Sequence, residues 1–172
     1  MHNKVVDQIF RRSIEKGWGA LRFNFRGAGK TFGAFDHGRG ESEDMLSLCE
    51  GLGSEHGLNR RPWIFLGYSF GAWVLTEFMQ KWKPAVHSAF FIAPPVTWYA
   101  FQTTWQNEGF AKHVYAAEKD DLIDLPAVQT WFGKLSEPKK MNIVEGAGHY
   151  FHTKTALLTK RIMEDMEDAW KA

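Results

Sequence analysis

Apolar positions along this chain repeat with two different periods. Over residues 3–16, Val5, Val6, Ile9, Phe10 and Ile14 fall at helical spacing, and Gly17 follows them. This predicts an amphipathic helix closed by a glycine. From Trp18 to Phe25 the period shortens to two, with Leu21, Phe23 and Phe25 set against Ala20, Arg22 and Asn24, which predicts a strand. A second helix is expected over about 42–53, with Met45, Leu48, Cys49 and Leu52 on one face. Apolar strands are expected at 63–68, 87–93, 113–117 and 141–144, and helices at 71–82, 126–135 and 154–170. In the last helix Leu157, Leu158, Ile162, Met166 and Trp170 are expected to face inward. Strands alternating with helices predict an α/β fold, a parallel sheet covered on both faces, in a single domain over 1–172.

One stretch carries a chemical pattern. The run Trp63-Ile64-Phe65-Leu66-Gly67-Tyr68-Ser69-Phe70-Gly71-Ala72-Trp73 reads as a buried strand, then Gly-x-Ser-x-Gly, then a helix through Val74, Leu75, Phe78 and Met79. A serine on so tight a strand-to-helix turn needs small residues two positions to either side, and its hydroxyl projects above the carboxyl end of the sheet. The backbone N–H of Phe70 then faces a developing oxyanion, helped by the helix dipole. A serine hydroxyl becomes nucleophilic only when a base takes its proton and a carboxylate orients that base. Asp120 follows one predicted strand, and His149 follows the last one in a Gly-Ala-Gly-His turn. In an open parallel sheet everything just beyond the carboxyl strand ends lies along one rim, so Ser69, Asp120 and His149 are expected to converge. Asp121 competes with Asp120 for the role, and either could simply cap the helix that follows. His2, His37, His56, His87 and His113 lack a comparable position.

Other features narrow the choice. Gly27-Ala28-Gly29-Lys30-Thr31 ends like a phosphate-binding loop, but Asn24 stands where the first glycine belongs and no helix is expected after Thr31. A nucleotide binder is therefore a remote alternative, and the glycines of this loop are expected to fold it back near the rim. The aromatic residues Trp98, Tyr99 and Phe101, with Tyr68, are candidates for the walls of a substrate pocket. Lys plus Arg number 21 and Asp plus Glu 20, which gives no support for a nucleic-acid or anionic-membrane partner. A single cysteine, Cys49, excludes an intramolecular disulfide and a cysteine-based zinc cluster. His152 stands three residues after His149, yet no carboxylate cluster accompanies the pair, so neither metal nor cofactor is expected. The amino end lacks the apolar core of a signal peptide, and no run approaches the roughly 18 apolar residues of a span. A soluble, cytoplasmic protein is the expectation, of an oligomeric state that the sequence leaves open.

Several motifs together resemble one family. Leu21-Arg22-Phe23-Asn24-Phe25-Arg26-Gly27 with Gly33, Phe35, Asp36, Gly38, Gly40 and Glu41 is similar to a branch of the α/β-hydrolase superfamily. That branch comprises small bacterial predicted hydrolases related to dienelactone hydrolases and short-chain carboxylesterases. Gly67–Ala72, Ala93-Pro94-Pro95 and Glu145–Phe151 match it in the same order. The resemblance implies Ser69 as nucleophile, Asp120 as acid and His149 as base, acting without a cofactor on a small ester or related acyl substrate. It also implies a departure at the front, where family members carry a hairpin, a central strand and a loop with a second oxyanion donor. The absent strand belongs between the segments 18–25 and 63–68, which is expected to leave a gap in the sheet and a weakly active enzyme. The alternative is a truncated remnant that acts as a scaffold.

Overall fold

The computed structural model describes residues 3–58, 61–105 and 109–171. Its elements follow in the order α1 (Lys4–Glu15), α2 (Arg39–Glu55), β1 (Trp63–Tyr68), α3 (Phe70–Met79), β2 (Val86–Ile92), β3 (Ala111–Ala117), α4 (Leu125–Gly133), β4 (Lys139–Val144) and α5 (Thr155–Lys171). The four strands pair in parallel in the order β1-β2-β3-β4. Tyr68 pairs with Ile92, Ile92 with Tyr115 and Tyr115 with Asn142, so the carboxyl ends of all four strands reach one rim.

Alternation along the strands divides the core between the two faces. Ala89 and Phe91 of β2, with Val114 and Ala116 of β3, pack with Met45, Cys49, Leu75, Phe78 and Trp131 from α2, α3 and α4. Phe90, Ile92, Tyr115 and Ala117 point the other way, against Val5 and Ile9 of α1 and Leu158, Ile162 and Met166 of α5. Both faces are thus covered, which is why the central strands are apolar nearly throughout.

The predicted elements recur with small shifts at their ends, and three expectations need correction. Residues 18–25 form no strand. A strand exists by its ladder hydrogen bonds, and among the described residues none joins this segment to β1. Side chains hold it instead: Arg22 bonds Asp7 of α1, while Phe23 and Phe25 lie against the α2–α3 side of the core. Second, α2 opens at Arg39 rather than near residue 42, because the Glu41 carboxylate accepts from the Gly38 N–H at 2.9 Å and closes the amino end. Third, Leu157 and Trp170 of α5 are exposed, the Trp170 ring stacking on His87 at 5.2 Å.

Candidate active site

Ser69 sits between the last residue of β1 and the first of α3 with φ 51° and ψ −118°. Positive φ at a residue with a Cβ costs on the order of 1–3 kcal/mol and persists only where the surroundings dictate it. They do so here. A Cβ on Gly67 would lie 2.4 Å from the Gly71 carbonyl oxygen and 2.7 Å from Ala72 Cα, so position 67 admits no side chain. At Gly71 a Cβ would meet only the Phe25 ring at 3.8 Å, so the expected need for a small residue holds before the serine but not after it. The Ser69 N–H donates to the Ile92 carbonyl at 2.8 Å, fastening the turn to β2.

The side chains named from the sequence meet at this turn. Ser69 Oγ lies 2.9 Å from His149 Nε2. His149 Nδ1 lies 3.0 Å from Asp120 Oδ2, with the two side chains only 3% and 4% exposed. A carboxylate can only accept, so Nδ1 carries the proton and Nε2 is left to accept from the serine hydroxyl. Asp120, not the exposed Asp121, makes this contact. Its other oxygen accepts from the N–H groups of Leu122 and Ile123 at 3.0 and 2.9 Å, so one carboxylate both orients the imidazole and shapes its own turn. The α4 cap is Asp124, which accepts from Ala127 N–H.

Three further contacts position His149, and sequence patterning named none of them as such. The Tyr68 hydroxyl donates to the His149 carbonyl at 2.8 Å, and its ring lies against the His149 and Phe151 rings. Burial pushes the Tyr68 hydroxyl up to about 12, so it stays a donor across the working range. Tyr68, expected at the pocket wall, therefore serves the histidine loop. Glu118 accepts from the Gly146 N–H at 2.8 Å, and the Lys119 N–H donates to the Ala147 carbonyl at 2.8 Å. Phe151, buried at φ 50°, closes the loop.

The remaining pocket candidates separate. Tyr99 lies 6.0 Å from the Phe70 ring and stacks on Trp73 at 5.2 Å. Phe101 stands behind Trp73, against Trp131. Trp98 is largely exposed. Phe70 is the first residue of α3, where helix N–H groups have no carbonyl partner within the helix, so its amide is available beside Ser69. The Gly27–Thr31 loop is followed by turn and irregular chain, and the next helix opens only at Arg39. Among the described residues no group of three or more His, Cys, Asp or Glu could hold a metal ion. No helix of the described residues is long and apolar enough to cross a membrane.

No family model matches the sequence. An uncharacterized protein of Rickettsia prowazekii is 29% identical over 172 residues, covering 94% of this chain and 70% of that protein. A lidless α/β serine hydrolase of Xanthomonas campestris superposes with a TM-score of 0.86 at 29% identity, over 98% of this chain and 74% of its own. A protein of unknown function from Agrobacterium tumefaciens, described as a candidate α/β hydrolase, gives a TM-score of 0.89 at 27% identity, over 99% of this chain and 79% of its own. With the parallel sheet and the strand–turn–helix at Ser69, these similarities make the chain a protein of the α/β-hydrolase fold.

Proposed function

We propose that the chain is a serine hydrolase acting on small esters or related acyl compounds through Ser69, His149 and Asp120. The observation that carries this reading is the unbroken series of hydrogen bonds from the serine hydroxyl through the imidazole to a buried carboxylate. Ser69 Oγ attacks the carbonyl carbon as its proton passes to His149 Nε2, and Asp120 stabilises the imidazolium. The oxyanion forms beside the Phe70 N–H at the positive end of α3. The ester C–O bond then breaks, and the leaving alcohol takes the proton from Nε2. Water attacks the acyl-enzyme, giving its proton to Nε2, and the serine leaves with it. The similarity to the Xanthomonas serine hydrolase supports the same chemistry.

The test is the intact mass of the protein after treatment with a fluorophosphonate. The expected result is one adduct, absent from Ser69→Ala and strongly slowed in His149→Ala. A folded protein that takes up no adduct would overturn the assignment.

A further inference from the structure

The glycine-rich segment between Arg26 and Gly40 is braced by interlocked polar contacts. The Arg26 guanidinium makes two hydrogen bonds to Asp44, at 2.8 and 2.6 Å. It fills the place where residue 40 would carry a side chain, since a Cβ on Gly40 would lie 2.0 Å from Nη1. Glu41, fully buried, accepts from the N–H groups of Asp36 and Gly38, both at 2.9 Å. Asp36 accepts in turn from the Gly40 N–H at 3.0 Å. The Trp73 indole N–H donates to the His37 carbonyl at 3.4 Å, drawing the loop onto α3. Gly38, at φ 92°, passes so near that indole that a Cβ would lie 2.4 Å from Nε1.

What this bracing displays is Phe35, 55% exposed. Its ring lies 5.3 Å from Phe70 and 4.7 Å from His37. Phe70 also meets Tyr99 at 6.0 Å and Phe25 at 5.5 Å. Phe35, Phe70 and Tyr99 thus form a series of rings joined through the residue that directly follows Ser69. A large apolar ring half in water leaves part of its area free to meet an apolar ligand.

We propose that Phe35, Phe70 and Tyr99 form an open aromatic shelf that receives an apolar arm of the substrate, an alkyl chain of several carbons or an aryl group. The substrate's being an ester rests on the reading of Ser69 above; the shelf itself does not. The experiment therefore begins on Ser69→Ala, titrated with hexan-1-ol and 4-phenylbutan-1-ol while the Trp73 indole N–H is followed by NMR. A saturable shift is expected, with affinity about fivefold weaker when Phe35→Ala is added, as follows from losing roughly 40 Å² of apolar contact. Phe35→Leu restores most of it. No saturable shift, or equal affinity with and without the ring, would overturn the shelf.

The second arm compares labelling of Ser69 by octyl and methyl fluorophosphonates. The long-to-short rate ratio is expected to fall about fivefold in Phe35→Ala; an unchanged ratio would overturn the proposal. Alcohols that bind while neither probe labels would support the shelf and reject the hydrolase reading.

Discussion

At the scale of single residues, the turn at Ser69 is set by what Gly67 lacks. Gly67→Ala places a methyl 2.4 Å from the Gly71 carbonyl, and the turn must open to admit it. A misplacement of about 1 Å lowers rates on the order of 10²-fold, so the fluorophosphonate labelling rate should drop by about that factor. Tyr68→Phe removes the hydrogen bond to the His149 carbonyl and the hydroxyl's contact with the Asn3 side chain. It should lower stability by about 1 kcal/mol in urea unfolding and slow labelling by less than about tenfold. The serine, the histidine and the two adjacent aspartates were legible from motif and order alone. The choice of Asp120 over Asp121 leaned on the family resemblance, because neighbouring residues in one turn differ only in the direction their side chains take. Tyr68 and Glu118 were hidden for another reason: their partners are backbone atoms 81 and 28 residues away.

At the scale of elements, periodicity located the helices and β1 to β4 well and their ends less well. An end depends on capping contacts such as that of Glu41, and a helical period says which residues share a face, not whether that face still lies over the sheet. Leu157 and Trp170 illustrate the second limit. Glu41→Ala leaves the Asp36 and Gly38 amides without their acceptor and should cost about 2–4 kcal/mol of stability, read by urea unfolding. A second polar anchor was not anticipated. Asp165 of α5 accepts from Tyr115 and Lys140, both at 2.6 Å, and from Asn142 at 3.2 Å, with His113 Nδ1 at 3.3 Å. Burial alone would raise its carboxyl, but the hydrogen bonds from His113, Lys140 and Tyr115 outweigh it and hold the group well below the ordinary range. A group depressed on folding contributes stability above its unfolded value, about 3.9, and that contribution fades as pH falls below it. Asp165→Asn should therefore be less stable than the parent at pH 7 by about 2 kcal/mol. The difference should narrow below about pH 4 when melts are compared across pH.

At the scale of the whole molecule, four strands in parallel order with their chemistry on one rim were legible, because alternating strand and helix admit few other arrangements. The segment 18–25 was misread, since its period of two is real but a ladder also requires a neighbour. The same fact describes β1 from its other side: among the described residues, nothing pairs with its outer edge. That edge runs through Trp63–Tyr68, a stretch with no charged residue to discourage a second chain from adding to it. Sedimentation velocity should show association that grows with protein concentration and recedes when Ile64 is replaced by Lys; a sample that remains monomeric throughout would count against it. On that outcome, the strand that delivers the serine to the rim also limits how concentrated a solution of this protein can be kept.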